Sequence, residues 1–149
     1  MNITDFKLLF INIHLCKYKD DYNYRFMRPI VMNVFHLFSF TFDTDGPQTF
    51  AISLKDKSAF PKNQNYKYSS ARFIVVKSNN DFDLMDGVTF VGGKYDHWER
   101  DYYIECDLKA GKYFTFVEID WHESVKENQR SFVISSYGPG ESIIEEETD

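Results

Sequence analysis

The chain has 149 residues and a formal net charge of −6, with 43% hydrophobic and 18% aromatic residues. The acidic balance argues against a nucleic-acid-binding protein, because neutralising phosphates requires clustered Lys and Arg. No apolar stretch approaches the roughly 18 residues that span a bilayer, so we expect no transmembrane segment. The length and the aromatic content indicate one compact domain built from strands.

The two ends of the chain differ in composition from its middle. In residues 1–29, Leu8–Leu15 is apolar at every second position, which predicts a strand, and the polar residues after it indicate a connection. Asn12 and His14 interrupt this stretch, which argues against a signal peptide and favours a protein inside the cell. Residues 141–149 are acidic, so we expect a solvated, disordered tail. The sequence leaves open whether the first strand joins the rest of the fold.

Short alternating segments recur between the two ends. Phe38, Phe40 and Phe42 alternate with Ser39 and Thr41, as in a strand with one buried face. The predicted strands after the first one are Ile30–Phe42, Gln48–Leu54, Arg72–Lys77, Val88–Val91, Tyr102–Leu108, Lys112–Trp121 and Arg130–Tyr137. About eight short strands with turn residues between them and no helical period predict an all-β fold, an antiparallel β-sandwich.

The last two predicted strands carry the most specific pattern. Lys112–Trp121 and Arg130–Tyr137 are joined by a polar loop and are predicted to pair as antiparallel strands. With the Gly-Lys-Tyr turn that opens the first of them, they resemble the closing hairpin of the large-subunit β-sandwich in calpain-type proteases. Three further segments resemble earlier strands of that module: Gly46–Leu54, Ala71–Lys77 and Tyr102–Leu108. The resemblance implies a sandwich similar to calpain domain III and to C2 domains at residues 30–140, without the protease domain.

The resemblance also implies a protein without catalytic activity. Cys16 and Cys106 lie far apart in predicted strands, at no spacing typical of a metal or redox site, so we expect both to be reduced and packed. A thiol protease needs a Cys activated by a His, and neither Cys has that context. The predicted function is a non-catalytic protein-interaction or scaffold module, a structural subunit of a larger assembly. Since some calpain-like modules occur in cytoskeletal or ciliary proteins, the resemblance implies a cytoplasmic assembly of that kind.

Aromatic and basic residues near predicted loops are the candidate partner-binding residues. Trp and Tyr commonly anchor protein interfaces, so Trp98, Tyr102 and Tyr103 are predicted to form an exposed aromatic patch, with burial in the sandwich core as the alternative. Residues 55–67 are basic and aromatic and are predicted to contact an acidic protein or anionic lipid, unless they form a solvated loop. The basic candidates in this segment are Lys55, Lys57, Lys62 and Lys67.

A second hypothesis follows from the likeness to C2 domains. In those sandwiches, Asp residues from loops at one end hold calcium, and carboxylate oxygens are the ligands that calcium prefers. The candidate ligands lie in two acidic segments and are Asp81, Asp83, Asp96 and Asp101. The alternative function is therefore a calcium- or lipid-responsive binding module, with calcium as its cofactor.

Overall fold

The fold consists almost entirely of β-strands. The computed structural model describes residues 19–31, 34–54, 65–80 and 83–147, with the backbone alone for residues 79–80, 83–86 and 96–97. Its strands are β1 (Tyr22–Met27), β2 (Phe35–Phe42), β3 (Gly46–Leu54), β4 (Ser70–Asn80), β5 (Asp83–His97), β6 (Asp101–Leu108), β7 (Gly111–Asp120), β8 (Phe132–Pro139) and β9 (Ser142–Glu146). No helix in the described ranges has the length and apolarity needed to cross a bilayer.

The strands form two antiparallel sheets. The four-stranded sheet has the order β1-β8-β3-β6, and the five-stranded sheet has the order β5-β4-β7-β2-β9. Every pairing between neighbours is antiparallel. The prediction of an all-β antiparallel sandwich is therefore confirmed, with nine strands among the described residues where about eight are expected.

Aromatic rings dominate the core between the sheets. Phe38, Phe40 and Phe42 of β2 point inward and are at most 2% exposed, as their alternation predicts. Phe50 of β3 meets the rings of Phe40 and Phe42 edge-on, with ring centroids 5.0 and 5.5 Å apart. Edge-to-face contact is a favourable arrangement for aromatic rings. Because β2 and β3 belong to different sheets, these contacts hold the two sheets together.

The predicted pairing of the last two long strands is wrong. β7 lies between β4 and β2 in the five-stranded sheet, whereas β8 lies between β1 and β3 in the four-stranded sheet. The polar segment between them therefore crosses from one sheet to the other. Alternation identified both strands correctly, but it carries no information on their partners, because each is an inner strand with neighbours on both sides.

Both ends of the described chain belong to the sandwich, which corrects two expectations. Tyr22–Met27, interpreted as part of a connection, pairs along its whole length with β8. Ser142–Glu146, expected to be a disordered tail, pairs with β2. Its half-buried Ile144 packs against the core, which outweighs the acidic character of the segment. The strand predicted at Leu8–Leu15 lies outside the described residues.

Two other predicted strands, Ile30–Phe42 and Val88–Val91, differ from the observed ones mainly in length. β2 begins at Phe35, five residues after the predicted start at Ile30. Val88–Val91 is only the middle of β5, which has 15 residues. Bulges in the pairing of β4 with β5 allow this long strand to continue, because each bulge bends and twists the strand locally.

Contacts between turns close one end of the sandwich. Asp45, in the turn before β3, accepts the Lys109 ammonium and the Ala110 backbone N–H, each at 2.8 Å. Both partners lie in the turn between β6 and β7. The side-chain hydrogen bond from Lys109, followed by the backbone hydrogen bond from Ala110, lowers the pKa of Asp45.

We expect Asp45→Asn to reduce the pH dependence of stability in acid. Because folding lowers the pKa of Asp45, its contacts stabilise the fold above the unfolded pKa of about 4, and this stability is lost as the pH falls through the lower folded value. Urea unfolding of protein and variant between about pH 6 and about pH 2 measures the effect. The difference in free energy of unfolding between the unmodified protein and the variant should shrink towards low pH. A difference that stays constant at every pH would contradict a lowered pKa for Asp45.

Candidate interaction surfaces

The three aromatic candidates do not form one patch. Trp98 is 61% exposed and Tyr103 is 58% exposed, but Tyr102 is only 2% exposed. The prediction that Tyr102 belongs to an exposed patch is therefore wrong. Neighbouring residues of a strand point to opposite faces, so Tyr103 faces solvent because Tyr102 faces the core. The Tyr102 hydroxyl donates to the Ser69 carbonyl at 3.2 Å, which satisfies its buried polar atom.

Trp98 lies at one end of the sandwich, beside a loop. Its ring meets His122 edge-on at 5.7 Å. The Nδ1 atom of His122 lies 2.9 Å from the hydroxyl of Ser124 and accepts the Ser124 backbone N–H at 3.1 Å. The same hydroxyl accepts the Lys67 backbone N–H at 3.0 Å. These contacts hold the loop against the chain before β4.

The basic candidates lie mostly beyond the described part of the chain. Lys55, Lys57 and Lys62 lie outside the described residues. Lys67 is exposed, and its backbone is fixed by the contact with Ser124. The structure thus places one of the four predicted basic residues, at the same end of the sandwich as Trp98.

The structure describes the candidate calcium ligands only in part. Asp81 lies outside the described residues, and the backbones of Asp83 and Asp96 lie at opposite ends of β5, roughly 40 Å apart at about 3.3 Å per residue. Asp101 accepts the Nε hydrogen of Arg100 at 2.6 Å. Among the described residues, no group of three or more His, Cys, Asp or Glu could hold a metal ion.

The outer face of the four-stranded sheet carries the first candidate surface. Phe50 and Ile52 are fully buried on the inner face of β3, so Thr49 and Ala51 point outward. Directly opposite residues of antiparallel strands share a face. The register therefore aligns four outward residues in one row across the sheet, Phe26, Ser135, Ala51 and Tyr103.

This row is the cross-section of a groove. One wall is formed by Tyr24 and Phe26 of β1, which are 56% and 63% exposed and stack with ring centroids 5.8 Å apart. Tyr103 of β6 forms the other wall. Three strand spacings of about 4.8 Å separate the walls by roughly 14 Å. We name this surface the aromatic groove, with walls at Tyr24, Phe26 and Tyr103 and a floor of Thr49, Ala51 and Ser135.

The two walls differ in charge. Tyr137, next to the floor, leans onto Tyr22 with ring centroids 5.1 Å apart, so the β1 side is aromatic. On β6, exposed Glu105 and Asp107 point outward with Tyr103. The ammonium of Lys94 lies 5.8 Å from the centroid of the Tyr103 ring, which shows that this ring accepts a cation. The groove is therefore aromatic on one side, and its other side carries two acids, Glu105 and Asp107, together with one base, Lys94.

The outer face of the five-stranded sheet carries the second candidate surface. Phe73 and Val75 of β4 are fully buried on the inner face, so Ile74 and Val76 point outward. Their cross-strand partners on β5 and β7, and the neighbours of those on β2, extend the same apolar surface. We name it the apolar band, formed by Leu37, Ile74, Val76, Phe90, Phe114 and Phe116. Among these residues Phe90 is exposed, Val76 and Phe114 are buried, and the other three are half-buried.

The rings that project most lie at the flanks of the apolar band. Phe90 is 60% exposed and Tyr95, nearby on β5, is 50% exposed. A Cβ atom at Gly93 would lie 3.0 Å from Tyr95 Cε1 and 3.4 Å from Phe90 Cε2, so these two rings close over the glycine. On the other flank, the exposed Phe35 packs on Phe116 with ring centroids 5.8 Å apart. The buried and half-buried residues of the band thus lie between exposed aromatic rings on its two sides.

Ion pairs border the apolar band. Arg72 contacts Glu118 at 3.0 Å, and Lys112 contacts Glu147 at 3.0 Å. The Lys112 ammonium also lies 5.0 Å from the centroid of the Phe114 ring. These ion pairs place charged groups along the edge of the band.

Comparisons with protein-family models and with curated proteins found no match. The resemblance to the calpain sandwich therefore stays a prediction, and the two surfaces are the basis for a functional proposal.

Of the residues that form these surfaces, Tyr103 was predicted from the sequence and the others were not. The signal for the apolar band is nevertheless present, because β4 is apolar on both parities at Phe73–Val76 and the outward positions Phe114 and Phe116 of β7 are also apolar. An antiparallel sheet with one solvated face usually shows polar residues on one parity. The groove has no such signal, since Phe26, Ser135 and Ala51 come from three strands that are distant in sequence.

Proposed function

We propose that the protein is a non-catalytic interaction module, a structural subunit that holds a segment of another protein in the aromatic groove. The observation that carries the proposal is the groove itself, where rings that are more than half exposed stand on both walls above a floor of small residues. Exposed apolar patches bordered by polar residues mark binding surfaces. The interaction function rests on this surface and not on the calpain resemblance.

The dimensions of the groove favour an α-helix as the occupant. A helix with its side chains is about 10 to 12 Å wide, and the walls are roughly 14 Å apart. Ser135 and Ala51 on the floor are small, so the helix backbone can approach the sheet closely. Tyr137 lies in the same row as Thr49, and its ring packs on Tyr22 at the β1 side. A helix lying along the strands would thus contact both walls.

The charge difference between the walls specifies the chemistry of that helix. Apolar side chains would pack on Tyr24 and Phe26, while Lys or Arg on the other flank would lie near Glu105 and Asp107. The proposed partner is therefore a protein with a basic amphipathic helix, and complementary charge also steers the encounter.

A designed peptide tests the proposal. We expect a fluorescein-labelled amphipathic helix, with Leu along one face and Lys along one flank, to bind saturably in fluorescence anisotropy. Asp107→Lys should weaken binding at least about tenfold, because it reverses a charge on the acidic wall. Phe26→Ser should weaken it by a similar factor, because it removes an aromatic wall.

Matched controls distinguish peptide binding in the groove from nonspecific binding elsewhere on the protein. Phe90→Ser, on the opposite sheet, removes an equally exposed ring and should leave the affinity unchanged. The same peptide with Glu in place of every Lys should bind at least about tenfold more weakly. Equal affinity for the two peptides, or for protein and Phe26→Ser variant, would refute the proposed groove.

The cellular setting remains a separate hypothesis. The cytoplasmic, cytoskeletal or ciliary assembly implied by the calpain resemblance predicts that a fluorescently tagged full chain co-sediments with the detergent-resistant cytoskeleton. Recovery of the tagged chain in the detergent-soluble fraction alone would contradict that setting and would leave the groove proposal intact.

A further inference from the structure

We propose that the aromatic groove fixes the direction of the helix it holds, with the helix N-terminus where β6 ends and the C-terminus where β6 begins. This inference rests on the proposed function and deepens it. We name the end of the groove where β6 ends the acidic end. It lies at Tyr22 and Pro139 on one side and at Pro47 and Asp107 on the other.

The charge of the β6 wall changes along the groove. The two acids of this wall are exposed and lie toward the acidic end. Toward the opposite end, the carboxylate of Asp101 accepts the Nε hydrogen of Arg100 at 2.6 Å, and the ammonium of Lys94 lies 5.8 Å from the ring centroid of Tyr103. That part of the wall thus has two bases beside one acid, whereas the acidic end has acids alone.

The same difference holds for the whole four-stranded sheet and its adjoining turns. Among the described residues on the side of the acidic end, there are seven acids and three bases, in residues 19–25, 43–47, 105–110 and 139–141. On the opposite side, four acids and four bases balance, in residues 28–31, 98–103 and 121–133. The groove therefore runs from an end with balanced formal charges to an end with an excess of four negative charges.

A helix has an electrostatic direction of its own. Its aligned peptide dipoles and the unpaired N–H groups of its first turn place about half a positive charge at the N-terminus, with the opposite charge at the C-terminus. The N-terminus is therefore attracted to the acidic end, where the carboxylate of Asp107 can accept hydrogen bonds from the first turn. In the reverse direction, the acids would repel the C-terminus. The bound helix thus runs antiparallel to β6 and parallel to β3.

Direction is coupled to the side on which the helix carries its bases. Turning a helix end for end, with its apolar face kept on the floor, moves a Lys flank from one wall of the groove to the other. Lys residues face the β6 wall, with the N-terminus at the acidic end, only when they lie on one particular side of the apolar face. The groove should therefore distinguish two helices of identical composition that carry Lys on opposite sides.

Two fluorescein-labelled peptides of the same composition test the inference. Both have a Leu face, with the Lys flank on its left in one peptide and on its right in the other, seen from the N-terminus. Acetyl and amide groups remove the terminal charges, so that the helix dipole remains. In fluorescence anisotropy at low salt, we expect both peptides to bind with the Lys flank toward β6, one of them about threefold or more tightly than the other.

Photo-crosslinking identifies the direction of the tighter peptide. A benzophenone group at its N-terminal residue should crosslink to residues 19–24 or 105–110, as mapped by mass spectrometry. The same group at its C-terminal residue should crosslink to residues 26–31 or 98–103. The opposite assignment of the two crosslinks would overturn the inference, and so would equal affinities of the two peptides.

Two substitutions on the same strand provide a matched control. Asp107→Asn should reduce the affinity ratio of the two peptides, because it removes a carboxylate from the acidic end. Asp101→Asn should not reduce the ratio, because it removes a carboxylate from the opposite end. A ratio that falls equally in both variants would contradict the proposed direction. Binding with equal affinities or reversed crosslinks leaves the groove proposal in place, whereas no binding of either peptide would refute the groove and the direction together.

Discussion

Replacing Phe50 with Ala is expected to lower the free energy of unfolding by about 3 to 5 kcal/mol. The ring is fully buried and contacts Phe40 and Phe42, so its removal opens a cavity between the two sheets. Domains of this size are commonly stable by about 5 to 15 kcal/mol, so the variant should be close to unfolding. Urea titration followed by fluorescence or circular dichroism would measure the loss.

Phe26→Ala is the matched control for this experiment. It removes the same atoms from a ring that is 63% exposed, and surface substitutions usually change stability by no more than about 0.5 kcal/mol. A similar shift for both variants would mean that Phe50 does not occupy the centre of the core. The difference between the variants isolates burial, because the chemical change is identical.

The inner face of the sandwich was predictable because its residues alternate. Phe38, Phe40 and Phe42 on one parity specify both the strand and the side that faces the core, and the structure buries all three. Turn residues such as Asp45 and Gly46 mark where strands end. These are local properties of the chain, so the sequence carries them directly.

The pairing of the strands was not predictable by the same reasoning. β7 and β8 follow each other in sequence, and adjacent antiparallel strands often pair, yet they lie in different sheets. The choice depends on which pairing buries the most apolar surface in the whole domain. That quantity is global, and two alternating segments with a polar loop are compatible with either result.

The candidate surfaces show the same division between local and global information. Tyr103 was predictable as an exposed aromatic residue, but its neighbour Tyr102 was assigned to the same patch although the two point in opposite directions. The groove needs Phe26 opposite Tyr103, and these residues are brought together only through the register of β1, β8, β3 and β6.

The short strand β9 connects the two surfaces to the stability of the fold. It covers the outer edge of β2, whose inner face supplies the aromatic core and whose outer face supplies part of the apolar band. Glu147 follows the strand and binds Lys112 at the border of the band. Hydrogen bonds from Ser39 and then Lys112 lower the pKa of Glu147, so this carboxylate stays ionised at neutral pH. The acidic residues of β9 and Glu147 are therefore part of the folded structure.

Removal of residues 142–149 is therefore expected to destabilise the protein by about 4 kcal/mol or more. The truncation deletes the half-buried Ile144, worth about 2 kcal/mol, and several hydrogen bonds to β2, worth about 1 kcal/mol each. It also deletes Glu146, whose carboxylate lies 2.8 Å from Nδ1 of the buried His36. Chemical unfolding of the truncated chain would measure the loss, whereas a solvated tail would give no change.

Two neighbouring residues provide an internal control that does not shorten the chain. Ile144 faces the core, while Ile143 is 60% exposed on the other side of the same strand. We expect Ile144→Ala to cost about 2 kcal/mol and Ile143→Ala no more than about 0.5 kcal/mol. If both substitutions had equally small effects on the free energy of unfolding, the result would support the disordered tail that the charge of this segment predicts. A large effect of Ile144→Ala alone would show that alternation decides the structure of this segment, because burial of one side chain outweighs the repulsion among the acidic residues around it.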